Sequence, residues 1–104
     1  MAELYFRAVI RPQRAERLCL ELLNRPWIRE LHAIEIEGSG TQDDSARDPD
    51  AAKTIDVLPR VLVTGLVDEE GREEMVDLVC SICRANRSGD GKVFFLHPER
   101  VIEY

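Results

Sequence analysis

Residues 57–67 read Val-Leu-Pro-Arg-Val-Leu-Val-Thr-Gly-Leu-Val. The segment is a strand that is apolar on both faces, with Val61, Val63 and Val67 on one side and Leu58, Leu62 and Leu66 on the other. Residues 92–97, Lys-Val-Phe-Phe-Leu-His, repeat the pattern with Val93 and Phe95 against Phe94 and Leu96. Strands of this kind need cover on both sides. The chain has 104 residues, enough for one domain and for two helices, and two helices cover one face of a sheet. The second face is therefore expected to be buried by other copies of the chain. A domain of this size hides only roughly two-thirds of its unfolded surface on its own, so association also helps stability.

The remaining elements follow from periodicity. Residues 4–11 alternate, with Leu4, Phe6, Ala8 and Ile10 on one face and Tyr5, Arg7, Val9 and Arg11 on the other. Pro12 opens a helix, because the amide it lacks would have had no partner in the first turn. Ala15, Leu18, Cys19, Leu22 and Leu23 carry that helix from 12 to 24, and it stops before Pro26. Residues 28–37 predict a second strand with imperfect alternation, broken by Gly38-Ser39-Gly40. Residues 41–56 change character, with five aspartates against Arg47 and Lys53 and few apolar side chains. This stretch predicts a long mobile loop, and loops of that length are usually functional or disordered. After the third strand, Asp68-Glu69-Glu70 places acid at a helix start, where the backbone dipole favours it. Met75, Val76, Leu78, Val79, Ile82 and Cys83 form the apolar stripe of a second helix. The fourth strand then occupies 92–97, and Val101-Ile102-Glu103-Tyr104 is a short segment available for pairing. The order is β-α-β-β-α-β over a single domain, 1–104: an α+β, ferredoxin-like sandwich with a long loop between strands two and three.

Several features have both a chemical and a structural reading. Gly38-Ser39-Gly40-Thr41-Gln42 either lets a ligand approach the backbone or is an ordinary strand exit. Gly89-Asp90-Gly91-Lys92 either cradles a phosphate with backbone amides and a lysine or is a tight turn. Cys80-Ser81-Ile82-Cys83 lies deep inside its helix, whereas redox pairs use the helix start, so it reads as core. His32 and His97 read as structural, and no set of four ligands for zinc is apparent.

Taken together, the three glycine- and proline-containing pieces resemble the PII signalling protein family. Gly38-Ser39-Gly40-Thr41-Gln42 matches the family's Gly-Phe-Gly-Arg-Gln at the loop base, and Val57-Leu58-Pro59-Arg60-Val61 matches its Phe-Leu-Pro-Lys-Val at the loop's return. Gly89-Asp90-Gly91-Lys92-Val93-Phe94 matches Gly-Asp-Gly-Lys-Ile-Phe, and Ile10-Arg11-Pro12 fits the opening. The resemblance covers nearly the whole chain. It implies a cytoplasmic, non-enzymatic homotrimer whose sheets face inward and whose long loop, the T-loop, docks on a transporter or enzyme. It implies an adenine nucleotide in the cleft between subunits, surrounded by Gly40, Gln42, Arg60, Gly89, Asp90, Gly91 and Lys92, with His32, Thr64 and Leu66 of the neighbouring subunit lining the adenine.

The departures from the family matter as much. No tyrosine stands between Thr41 and Asp56, so the family's uridylylation has no acceptor there; Ser45 is the one serine in that stretch. Where the family carries the first of two C-terminal arginines that reach the triphosphate, this chain has Glu103, and nothing up to Tyr104 replaces the second. That predicts ADP or AMP over ATP. Family branches with such loops are linked to inorganic carbon, in carboxysomes and bicarbonate transport, so the resemblance leaves bicarbonate, 2-oxoglutarate or neither as the second ligand.

Charge and hydropathy exclude other classes. Lys plus Arg is 14 against 20 Asp plus Glu, a net charge of −6, which does not suit a nucleic-acid backbone. No apolar run approaches the ~20 residues of a membrane span, and Met1-Ala2-Glu3-Leu4-Tyr5 does not read as a secretory signal. Three cysteines do not make a disulfide scaffold. The alternative on the same architecture is a metal-responsive trimer of the CutA type, which the two glycine motifs disfavour. An acylphosphatase-like enzyme would need a catalytic arginine and asparagine that are not convincingly placed here.

Overall fold

The computed structural model of the chain describes residues 2–40, 56–84 and 91–104, with the backbone alone at 38–40 and 56–58. The elements are β1 (Glu3–Ile10), α1 (Pro12–Leu23), β2 (Ile28–Gly40), β3 (Asp56–Asp68), α2 (Arg72–Cys83) and β4 (Gly91–Leu96), with one 3-10 turn at Glu69–Gly71 ahead of α2. The strands form one antiparallel sheet in the order β2-β3-β1-β4. This is the expected β-α-β-β-α-β arrangement.

Alternation and helical spacing account for the core. Leu4, Phe6 and Ala8 are fully buried and Ile10 nearly so, all on the face of β1 that meets the helices. Val61, Val63 and Val67 of β3 join them. Leu18 and Leu22 of α1 and Met75, Leu78, Val79, Ile82 and Cys83 of α2 close the layer from above. Pro12 is the first residue of α1, as its missing amide allows. Leu20 and Leu23 point outward.

Trp27, in the connection from α1 to β2, belongs to the same core. Its indole N–H donates to Glu74 on α2, and Arg25 donates to the same carboxylate at 3.3 Å. The side chain packs directly against Gly71: a Cβ there would sit 2.4 Å from the ring's Cγ. One irregularity follows in β2, where the register with β3 shifts between Ile28 and Glu30, making Arg29 the extra residue of a bulge. Arg29 uses that position to reach the end of β3. Its Nε and Nη2 donate to the two carboxylate oxygens of Asp68 at 2.9 and 2.7 Å. Asp68 is buried, and this bidentate hydrogen bond holds its carboxyl below the usual aspartate range.

The sign of the linkage follows. A depressed carboxyl contributes stability that is complete above the unfolded aspartate pKa of about 3.9 and is lost as the pH falls through the folded value. Asp68→Asn should therefore lower stability at neutral pH and flatten the acid limb of stability against pH. Urea midpoints measured from pH 7 to pH 2 check this; parallel curves for the two proteins would contradict it.

Three expectations need correction. Gly38-Ser39-Gly40 does not break β2: the strand runs through Gly40, and Gly38, Ser39 and Gly40 pair with Leu58, Val57 and Asp56. Backbone pairing to β3 overrides the weak strand preference of glycine there. β3 correspondingly begins at Asp56, inside the stretch 41–56 expected as loop, and the rest of that stretch lies outside the described residues. The histidines are not packed in the core, since both are exposed. The segment 101–104 is irregular, with Val101, Ile102 and Tyr104 exposed. Pro59 lies past the last β1–β3 pair, Ile10 with Val61, so no β1 partner loses a donor.

Candidate functional site

The helices cover one face of the sheet. Parity assigns the other. Opposite partners in an antiparallel ladder share a face, so three cross-strand rows can be followed over the uncovered side. The first runs Glu30, Leu66, Tyr5, Leu96; the second His32, Thr64, Arg7, Phe94; the third Ile34, Leu62, Val9, Lys92. Ile36 with Arg60 continues beyond β1. His32, Thr64, Leu66, Arg60 and Lys92, singled out from sequence, thus all lie on this one face.

They are not brought together within one chain. His32 is on β2, at one edge of the sheet, and Lys92 is on β4, at the other. Three strand spacings, about 14 Å, separate them. Thr64 and Leu66 lie beside His32 on β3, and the Thr64 hydroxyl is committed to the Phe6 carbonyl at 2.8 Å. Lys92 is exposed and lies across from Val9. Gly91 is opposite Ile10, which is opposite Val61, the residue after Arg60. Gly91, Lys92 and Arg60 therefore share the end of the sheet from which β2 and β3 run on as a two-stranded ribbon to Gly40 and Asp56. The Arg60 Nη1 donates to the Pro59 carbonyl at 2.9 Å.

Gly91 has a backbone reason to be glycine. Its φ is +142°, and a Cβ would sit 2.0 Å from the Val9 carbonyl oxygen. The close approach of β4 to β1 would demand a glycine here with or without a ligand. Gln42, Gly89 and Asp90 lie outside the described residues.

Sequence reasoning passed over Arg7. It stands in the middle of the uncovered face, with its guanidinium carbon 5.9 Å from the centroid of the Phe94 ring. Its Nε is buried without a hydrogen-bond partner among the described residues. The alternation of β1, which sets Arg7 between Tyr5 and Val9, was the available signal.

Other chemistry finds little support in the arrangement. Among the described residues no three His, Cys, Asp or Glu side chains gather to hold a metal. Cys83 is buried in the core and Cys80 half-buried at its edge, as the helical wheel predicts. Burial pushes the Cys19 thiol up, away from the reactive thiolate. No helix of the described residues is long and apolar enough to cross a membrane.

Comparison with known proteins agrees with the architecture. No family model matches the chain. The nitrogen regulatory protein GlnK of Escherichia coli K12 is 28% identical over 95 residues, spanning 90% of this chain and 84% of that protein. The nitrogen regulatory protein P-II of Nostoc punctiforme is 29% identical over 96 residues, 91% of this chain and 85% of its own. Among solved structures, the B. subtilis GlnK–ATP complex superposes with a TM-score of 0.73 at 20% identity, covering 93% of this chain and 82% of that one. The chain is similar in sequence to PII nitrogen regulatory proteins over nine-tenths of its length, and it shares the fold of GlnK.

Within the PII fold, the described part of the loop base is the paired end of the ribbon, Gly38–Gly40 with Asp56–Leu58. Gly91 and Lys92 open β4. Glu103 follows in the exposed segment after β4.

Proposed function

We propose that this PII-like protein is a non-enzymatic, cytosolic regulator that works as a homotrimer, binds an adenine nucleotide between subunits, and passes the nucleotide state to a transporter or enzyme through residues 41–56. The observation that carries the reading is the distribution of the site residues. His32, Thr64 and Leu66 stand at the β2 side of one sheet face, and Gly91 and Lys92 at the β4 edge. A single chain holds two halves of a site on opposite edges, and ring closure of copies would join them. The apolar, uncovered face supports the same assembly, since Ile34 and Leu96 are each 53% exposed in the isolated chain. The name of the B. subtilis GlnK–ATP complex supports adenine nucleotide as the ligand class.

The charge pattern favours fewer phosphates. Lys92 supplies one cation, Arg60 a second with a fork suited to two oxygens, and backbone amides around Gly91 add donors. A third phosphate adds about one more negative charge, and by the resemblance Glu103 takes the place of an arginine that would meet it. Like charges a few ångström apart cost on the order of 1–4 kcal/mol, and each 1.4 kcal/mol is about tenfold in affinity. ADP or AMP should therefore bind several-fold more tightly than ATP. Bicarbonate or 2-oxoglutarate is the candidate second ligand.

Calorimetric titration of ATP, ADP and AMP tests this, each alone, with bicarbonate, and with 2-oxoglutarate and magnesium. Lys92→Ala should weaken ADP by about tenfold or more through loss of a charge-assisted contact. Glu103→Arg should recover ATP affinity. Tightest binding of ATP by the unmodified protein would refute the C-terminal charge argument, and failure of all three nucleotides would refute the site.

A further inference from the structure

The uncovered face carries opposite charges at its two edges. At the β4 edge are Lys92 and the guanidinium of Arg7, which leans from β1 over Phe94 of β4. At the β2 edge are Glu30 and His32, whose side chains are 52% and 63% exposed and stand 3.9 Å apart. Each edge also bears a large exposed apolar side chain, Leu96 on β4 and Ile34 on β2. An edge that complements the opposite edge of the same molecule makes a head-to-tail contact, and such contacts close into rings when the rotation allows.

Arg7 gives this pattern a specific demand. Its Nε is already buried without a partner, and no carboxylate of its own chain bonds it among the described residues. Covering the face with another copy would remove the rest of the guanidinium from water, which is costly for an unpaired charge. Three described carboxylates share the face by strand parity: Glu3, Asp68 and Glu30. Asp68 is held by both donors of Arg29, and Glu3 lies within the field of that same guanidinium. Glu30 stands on the outer strand, with His32 as its recorded neighbour.

We infer that in the assembled ring Arg7 of each copy forms an ion pair with Glu30 of the next, so that this pair sets the direction and closure of the ring. The inference rests on the trimer proposed above and adds to it the residue that each neighbour contributes. Phe94 is the platform that holds the guanidinium towards the β4 edge, ready for the incoming carboxylate.

Charge reversal tests it. Sedimentation velocity is run on the full chain over a concentration series, at low and at high salt, for the unmodified protein, Arg7→Glu, Glu30→Arg and the double variant. Each single reversal should raise the concentration at which the trimer dissociates by about tenfold or more, because it sets like charges against each other. The double reversal should recover most of that loss. Neutral variants guard against reversals that do not fold: the losses from Arg7→Gln and Glu30→Gln should be non-additive, with the double variant no worse than the worse single. A trimer whose double reversal gains nothing, or whose neutral losses add, overturns the pair and leaves the trimer standing. A monomeric unmodified protein overturns the trimer and the pair with it.

Discussion

Val63→Asp should leave a chain that does not hold its fold. Val63 is fully buried on the central strand β3, with Ala8 opposite on β1 and Ala33 on β2. An aspartate there faces the apolar layer formed by α1 and α2. Burying an unpaired charge, or neutralising it by taking up a proton, costs more than about 4 kcal/mol, a large share of the roughly 5–15 kcal/mol that holds a domain together. Circular dichroism should show no cooperative thermal transition, or one far below that of the unmodified protein. The comparison that gives the result its meaning is Ile34→Asp. Ile34 is 53% exposed on the opposite face, so that variant should melt within a few degrees of the parent at low concentration while losing association. An unchanged melting temperature for Val63→Asp would mean that the inward face of β3 is wrongly assigned.

The second large effect is expected from a single methyl group. A Cβ on Gly65 would lie 1.9 Å from the carbonyl oxygen of Glu30 and 2.6 Å from its carbon. Both are backbone atoms of the neighbouring strand, so no side chain can swing aside. Relief requires β2 and β3 to separate beside the bulge at Arg29, whose guanidinium is anchored on Asp68. Gly65→Ala should cost about 3 kcal/mol or more, at the upper end of overpacking penalties. For a domain of this length that is a fall of more than about 12 °C in melting temperature. A fall under about 4 °C would show that the strands part more easily here than their geometry suggests. Gly71→Ala meets the root of the buried Trp27 side chain, so relief there would require the whole indole to move off Glu74.

Gly65 also marks where sequence reading stops. Within 57–67 it reads as one more strand residue, and its necessity arises from Glu30, thirty-odd positions away. The alternation of Leu4, Phe6, Ala8 and Ile10 and the stripe from Met75 to Cys83 were legible because each is a local period repeated over several turns or pleats. The two-sided apolar strands were legible for the same reason, and parity alone put His32, Thr64, Leu66 and Lys92 on a common face. Gly38-Ser39-Gly40 misled because glycine reads locally as a break, while its partners Asp56, Val57 and Leu58 hold it in the ladder. Trp27 and the Arg29–Asp68 pair left no periodic trace: each joins a connection or a bulge to residues forty or so positions on. Arg7 was visible as a cation on an apolar face, but what that meant depended on Phe94 of β4 being its cross-strand partner. At Gly91 the backbone requires glycine with or without a ligand, so only the exposed Lys92 beside it speaks for phosphate rather than for chain geometry.

The last β1–β3 pair joins Ile10 to Val61, yet β2 and β3 stay paired for five further positions, to Gly40 and Asp56. Those five pairs form an arm about 17 Å long, braced by the sheet at its root and by nothing on its flanks among the described strands. Antiparallel pairing prevents one strand from sliding past the other without exchanging every side chain between faces. A push at the tip therefore cannot be absorbed as slip. It must travel down the arm as bend and twist, and the strand that carries it inward is β3, which holds Arg60, Thr64 and Leu66 in succession. On the function proposed above, the chain works as a crank, its handle gripped by a docking protein and its shaft running through the face that holds the small molecule.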